Sequence, residues 1–339
     1  MSDIDAGDLS RGRVLVTGAT GFLGASLVQR LVRDGVCVRA LVRSREKASQ
    51  LAADGVEVVV GDIADERAVA SAVDGVEVVF HLAGKLYDPW EPEHEYRATH
   101  VEGTKRLLEH ARRSRHLVRF VHCSTTGVFG ATGAQPVAEN APFRPTNVYE
   151  ATKAESELEV RAAGEDGFPA VVVRPGLVYG PGDVHLAGFF RSVLKRQFRP
   201  IGRAPVWLHP IYIDDMTDAF VRCAVRPEAV GECFNIAGPE PVSLKSLATA
   251  IAEANGTAPP AGHIPLFAAR ALAVAGDALP ARWQRAAPLT SSRLDFLTHS
   301  RVYLVDKARR CLDFVAPTDL TIGVKNTLAW YREHGHVPA

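Results

Sequence analysis

The chain has 339 residues, of which 47% are hydrophobic; 39 basic and 39 acidic residues leave a formal net charge of zero. That length points to one large α/β unit or two domains, and the charge balance excludes a whole-molecule field that recruits nucleic acid or an anionic membrane. Five cysteines (Cys37, Cys123, Cys223, Cys233, Cys311) without CxxC spacing argue against a disulfide framework or zinc site and for a reducing, cytoplasmic setting.

Residues 1–12 are polar, lack an apolar signal-type core and are expected to be a flexible N-terminus. From residue 13 apolar runs and amphipathic segments alternate. Strands are predicted at 13–18, 36–43, 56–62, 76–84, 117–124 and 169–176, with helices at 22–35, 44–55 and 96–114 among those between them. Continuously apolar strands separated by helices imply a parallel sheet covered on both faces, a Rossmann-type doubly wound α/β fold with ligands at the carboxyl ends of the strands. After about Gly180 the rhythm breaks into a Pro/Gly-punctuated stretch rich in aromatics and Arg. "IYIDD" (211–215) and "CFNIAG" (233–238) read as a return to strands, and helices dominate from Leu244. The expected division is a dinucleotide-binding part at 13–180, rejoined by 210–237, and a smaller, interleaved substrate-binding part at 181–209 and 238–339. The most apolar stretch, 264–283, contains Arg270, Asp277 and two prolines, so it reads as a buried or surface-lying helix rather than a span.

Two features carry chemistry. Gly18, Gly21 and Gly24 fall between the first strand and first helix, where glycines allow a tight turn and let backbone N–H groups approach a pyrophosphate. Tyr149 and Lys153 are four residues apart at the start of a predicted helix, which puts phenol and ammonium on one face. That spacing fits an acid–base pair or two ordinary surface side chains, and the rest of the chain has to decide between them.

The motifs together resemble the extended short-chain dehydrogenase/reductase family over nearly the whole chain. "TGATGFLG" (17–24) is similar to that family's phosphate loop, "GDIAD" (61–65) to its adenine-binding segment and "HLAG" (81–84) to its wall beside the cofactor. "STTGVFG" (124–130), "YEATK" (149–153) and "RPGLVYGPG" (174–182) follow in the family's order. The resemblance implies cofactor contacts from Gly18, Thr20, Gly21, Phe22, Leu23, Gly24, Asp62, Ile63, Leu82, Ala83, Gly84, Pro175, Gly176 and Val178, together with Tyr149 and Lys153. It implies Tyr149 as general acid–base, Lys153 as its partner and Thr125 as the hydroxyl that positions the substrate oxygen, with Ser124 the alternative. The second strand ends in "ALVRSR" with no acid. Arg43 is placed to receive a 2′-phosphate, so NADP(H) is expected and NAD(H) is the alternative.

His81, His100, His110, His116 and His122 lack metal-binding spacing, and no metal is expected. His100 stands where the family usually has Asn. Asp214–Asp215 reads as a helix start, and Glu139 and Glu157 show no partner.

Sugar-nucleotide members of the family usually carry an Arg where this chain has Leu208, and an Asn where it has Gly176 and Leu177. Tyr87, Trp90, Phe189 and Trp207 are candidate substrate contacts; Phe190 and Phe198 line the site or belong to the core. Arg191, Arg196, Arg199 and Arg203 could hold an anionic head group. The expected function is therefore alcohol/ketone oxidoreduction on a largely apolar, cyclic small molecule, as in the 3β-hydroxysteroid dehydrogenase and dihydroflavonol reductase branch. A nucleotide-sugar epimerase or dehydratase with tightly bound NAD is the alternative, and a non-catalytic NADP-binding regulator a third. By resemblance a homodimer is expected through 96–114 and 148–163. No nucleic-acid partner and no integral membrane span are expected.

Overall fold

The computed structural model describes residues 9, 12–280, 283, 287 and 289–338. Apart from Leu9 and Gly12, the N-terminal stretch expected to be flexible lies outside the described residues.

The alternation read from the sequence becomes β1 (Arg13–Thr17), α1 (Phe22–Arg33), β2 (Cys37–Val42), α2 (Arg45–Ala53), β3 (Glu57–Val60), α3 (Glu66–Val73) and β4 (Val78–His81). Next come α4 (Glu93–Arg97), a π-turn at Ala98–Glu102, α5 (Gly103–Arg113), β5 (Arg119–Cys123), α6 (Val148–Glu165) and β6 (Ala170–Pro175). The second half holds β7 (Leu177–Tyr179), α7 (Ala187–Leu194), β8 (Trp207–Leu208), β9 (Pro210–Tyr212), α8 (Ile213–Val225), β10 (Cys233–Ile236) and β11 (Val242–Ser243). Among the described residues there follow α9 (Leu244–Ala254), α10 (Leu266–Asp277), α11 (Ser291–Thr298), α12 (Asp306–Leu312) and α13 (Leu320–Glu333).

Seven strands form one parallel sheet in the order β3-β2-β1-β4-β5-β6-β10. Strand order reverses beside β1, which opens a crevice at the carboxyl ends of β1 and β4, the place where doubly wound folds bind ligands. One face packs Val14, Val16, Val121 and Val173 against Leu27 and Leu31 of α1 and Phe220 of α8. The other packs Leu15, Val79, Phe120 and Val172 against Val69 of α3, Leu107 of α5 and Val160 of α6. Each such side chain, fully withdrawn from water, contributes about 1.5–3 kcal/mol. A second core gathers Tyr179, Phe190 of α7, Leu208, Ile251 of α9 and Val324 and Tyr331 of α13. Phe198 is buried there too, so Phe190 and Phe198 are core residues.

"IYIDD" is strand only as far as Tyr212. Ile213 opens α8, with Asp214 and Asp215 in its first turn, where carboxylates suit the positive end of the helix dipole. β9 pairs with β7 in a separate two-stranded sheet, because the main sheet's edge position is taken by β10.

Glu157 does have a partner. Arg174 of β6 and Glu157 of α6 are both fully buried; Nε and Nη2 of the guanidinium donate to the carboxylate at 3.0 and 2.5 Å. Nη1 donates to the Glu139 carbonyl at 2.9 Å, Ser124 Oγ donates to Glu157 at 2.7 Å, and the Phe129 and Phe143 rings flank the guanidinium. Removing one partner leaves a buried charge without compensation. Glu157→Ala is expected to cost about 3–5 kcal/mol in urea unfolding, and replacing both partners with apolar residues of similar volume to recover most of it. A loss below about 1 kcal/mol would refute this weighting.

Candidate active site

The crevice beside β1 is lined by Thr17, Gly18, Thr20, Gly21, Leu41, Val42, Arg43, Lys47, Gly61, Asp62, Ile63, Leu82, Ala83, Gly84, Lys85 and Thr99. Gly18 has φ +71°, and a Cβ there would lie 2.6 Å from the Leu82 carbonyl; a Cβ at Gly24 would lie 2.1 Å from the Gly18 oxygen. The loop is thus a cradle only glycine can build. The first turn of α1 carries no acidic residue and no side-chain cap, so its backbone N–H groups are free for a pyrophosphate. Phe22 and Leu23 are half-buried, packed on the second core side of that turn. These residues fit a dinucleotide.

Arg43 and Asp62 face each other across the cleft rim at 3.8 Å, the Arg largely exposed and the Asp half-buried. Lys47, in the first turn of α2, lines the same cleft. The sequence drew attention to Arg43 and Arg45; Lys47 becomes visible only once α2 is wound, four residues on from Arg43.

Tyr149 and Lys153 occupy the first two turns of α6. Asn147 caps that helix, accepting from Glu150 N at 3.0 Å, while the Glu150 carboxylate accepts from Thr146 N at 2.7 Å. The Thr125 hydroxyl accepts from Gly127 N at 3.0 Å, which turns the chain sharply after β5 and sets that hydroxyl against the Tyr149 phenol. Burial pushes the Tyr149 pKa up, while the Thr125 hydrogen bond pulls it down. Lys153 Nζ donates to the Cys123 carbonyl at 2.5 Å, and burial lowers its pKa. Ser124 is turned away, toward Glu157. The structure therefore brings the Thr125 hydroxyl to the Tyr149 phenol, sets Lys153 one helical turn further along α6, and leaves Ser124 in the ion-pair network.

Three buried histidines surround Lys153. Lys85 N donates to His100 Nε2 at 3.0 Å, which leaves the proton on Nδ1, facing Thr152 Oγ1 at 2.9 Å; Thr152 in turn donates to the Val148 carbonyl. His81 Nδ1 accepts from Thr17, and its Nε2 donates to Thr104, whose hydroxyl donates to the His100 carbonyl. Thr17 also accepts from Ala83 N. Two directed runs of hydrogen bonds thus meet at His100, one from the cleft wall ending on its carbonyl and one through its ring to the start of α6. The Tyr149 ring stands edge-on to His100 at 5.7 Å. Burial, then the charge of Lys153, holds His81 down at about 3 and His100 at about 2; His122, 5.2 Å from His81, is likewise kept well below the ordinary value.

His100 gave only a departure from pattern in the sequence, and Gly84 makes room for it. A Cβ at position 84 would stand 3.3 Å from His100 Nε2, so a side chain there would crowd the imidazole.

Pro175 ends β6 and accepts from Thr126 Oγ1 at 2.9 Å, and Val178 lies in β7. A side chain at Gly176 would meet the His209 carbonyl at 2.5 Å, so no Asn can stand there without displacement. Leu208 is buried in the second core. Phe189 packs edge-on against Phe198 at 5.1 Å, and Trp207 is half-buried beside Ser300, whose hydroxyl accepts from Trp207 N. Tyr87 and Trp90 lie on the loop after β4, where Lys85 pairs with Glu91 and Glu95. Among the described residues no cluster of His, Cys, Asp or Glu is arranged to hold a metal ion.

Residues 14–237 match the model of the NAD dependent epimerase/dehydratase family. The chain belongs to that family. A ketoreductase of Stigmatella aurantiaca, acting on a farnesylated dihydroquinoline oxide, is 33% identical over 89% of this chain and 91% of its own length. A 3β-hydroxysteroid dehydrogenase/isomerase of Mycobacterium tuberculosis is 34% identical over 89% and 86%. The solved structure of gox2253 superimposes with a TM-score of 0.79 at 26% identity, over 96% of this chain and 99% of that one. The protein is an NAD-dependent enzyme of the extended short-chain dehydrogenase/reductase type.

The buried neutral histidines make stability depend on pH. Unfolded, each takes up a proton near pH 6.5; folded, His81 and His100 do so only near 3 and 2. Their contribution is full above about pH 6.5 and is lost as pH falls below it, at up to about 1.4 kcal/mol per histidine per pH unit. Urea unfolding between about pH 7 and pH 5 should show a shallower decline for His100→Asn than for the natural chain. Equal slopes would contradict the buried neutral state of His100.

Proposed function

We propose that this enzyme interconverts a secondary alcohol and a ketone on a largely apolar, cyclic small molecule, using NADP(H) in preference to NAD(H). The observation that carries the chemistry is the meeting of the Thr125 and Tyr149 hydroxyls, with Lys153 one turn along the same helix and a glycine cradle in the crevice beside β1. A bound nicotinamide supplies or accepts the hydride. Tyr149 passes the proton to or from the substrate oxygen, and Thr125 holds that oxygen by a hydrogen bond. The raised pKa of Tyr149 keeps the phenol protonated near neutrality, the state ready to donate to a ketone. Lys153, fixed on the Cys123 carbonyl one helical turn on from Tyr149, supplies the positive charge that offsets the cost of forming a phenolate.

Two further observations support the apolar substrate and the phosphorylated cofactor. Leu208 is buried where sugar-nucleotide enzymes of the resembling family carry an Arg. Arg43 and Lys47 put two cations at the cleft edge, against the single carboxylate of Asp62. The second reading, a nucleotide-sugar epimerase, rests on the breadth of the family itself. We place the enzyme in the cytoplasm on its five free cysteines, and as a homodimer through α5 and α6, whose exposed Leu158 supports that face.

Tyr149→Phe should lower kcat by about 10²–10⁴-fold while cofactor affinity, read by fluorescence titration, stays near that of the natural chain. A near-natural kcat would remove Tyr149 from the proposed role. The Arg43→Ala/Lys47→Ala pair should erode the preference for NADPH over NADH by on the order of tenfold or more in kcat/KM. In thermal-shift measurements NADPH should stabilise the protein and UDP or dTDP should not; strong stabilisation by a nucleoside diphosphate would favour the epimerase reading.

A further inference from the structure

Helix α10 is built inside out. Its buried face is made of small residues, Ala269, Ala273 and Gly276, and a Cβ at Gly276 would collide with the Leu289 carbonyl. Its large apolar side chains point to water instead: Phe267 is 77% exposed, Val274 67% and Leu272 50%, and Trp283 just beyond the helix is 57% exposed. Phe267, Ala271 and Val274 are spaced to form one stripe. A surface helix normally turns its large apolar residues inward, so this arrangement marks a docking face.

The flank of that face is cationic. Ile201 bridges Ile264, Ile264 N donates to the Pro200 carbonyl and Gly202 N to the Ile264 carbonyl, each at 2.8 Å, which ties the loop after α7 to the start of α10. That loop carries exposed Lys195, Arg196, Arg199 and Arg203, and α10 adds exposed Arg270. From residue 184 to 213 and from 256 to 276 there is no Asp or Glu. None of the five cations forms an ion pair among the described residues. In a chain of zero net charge this is a local separation of charge onto one apolar surface.

We propose that this face seats the enzyme on the surface of an anionic phospholipid bilayer. Phe267, Val274 and Trp283 enter the boundary between head groups and acyl chains, and the Lys195–Arg203 loop meets the phosphates. The contact is interfacial: α10 has 12 residues, about 18 Å of helix, too short to cross, and among the described residues no helix is long and apolar enough to do so. A second copy of the chain fits the face poorly, because a two-fold contact would bring the same cations together. The inference stands independently of the proposed reaction.

The test uses the full chain and vesicles of phosphatidylcholine with about 30% phosphatidylglycerol, against phosphatidylcholine alone. Co-sedimentation should be on the order of tenfold greater on the anionic vesicles and should fall in about 0.5 M salt. Phe267→Glu/Val274→Glu should lose on the order of tenfold in binding while thermal stability and cofactor binding stay unchanged. Arg199→Glu/Arg203→Glu should abolish the preference for the anionic lipid. Should the α10 double variant fail to fold, the natural chain still reports: its tryptophan emission should shift to the blue on the anionic vesicles, and Trp283→Phe should remove most of the shift. Absence of binding to anionic vesicles, or binding undiminished in a folded α10 variant, would overturn the proposal. So would a soluble oligomer that Phe267→Glu dissociates without any vesicle binding by the natural chain.

Discussion

The buried pair of Arg174 and Glu157 is the constraint on which the site's geometry depends. Two charges withdrawn from water are tolerable only if every donor and lone pair finds a partner. Here that demand is met from the end of β5 through Ser124, from α6 through Glu157, from β6 through Arg174 and from the 138–143 segment through the Glu139 carbonyl. Each element holds its place only while the others hold theirs. Glu157 lies one helical turn past Lys153, Ser124 directly precedes Thr125, and Arg174 directly precedes Pro175. A network that touches no reacting atom therefore sets the mutual positions of the residues to which the reaction is assigned.

The histidine network does the same on the other side of α6 by neutral means. Burial first, and the positive charge of Lys153 second, keep the three nearby imidazoles unprotonated. The hydrogen bonds of His81 and His100 are then directed, since each ring nitrogen is either a donor or an acceptor. The π-turn at Ala98–Glu102 carries the His100 ring between Lys85 and Thr152. Charge on one side and fixed tautomers on the other hold the first turns of α6 with little freedom to shift.

Much of this was legible in the sequence. The apolar strand runs at 13–18, 36–43 and 117–124, and the glycine spacing at Gly18, Gly21 and Gly24, are local signals read over a few residues, and they yielded the parallel sheet and the cradle. The Tyr149–Lys153 spacing needed its neighbouring motifs, because a four-residue interval on a helix is common. What stayed hidden depends on contacts between distant residues. Glu157 and Arg174 are 17 positions apart, with no pattern linking them; that Gly84 makes room for His100 shows only when their separation in space is known. Lys47 counts only once α2 turns it toward Arg43. "IYIDD" reads as strand because its β-branched and aromatic residues suit one, while the helix dipole recruits its two aspartates to α8 instead.

The second core has a consequence for how the protein is made. Tyr331 of α13 packs edge-on against Phe190 at 5.0 Å and donates to Asp183 at 3.2 Å, and Gly323 lies so close to the Tyr179 hydroxyl that any side chain there would overlap it. The segment just past β7 is thus closed by residues synthesised some 150 positions later. During translation the parallel sheet can condense as its strands emerge, but the ground around Tyr179 and Asp183 stays open until α13 arrives. A nascent chain would hold a finished cofactor cradle before α13 has closed the ground around Tyr179 and Asp183.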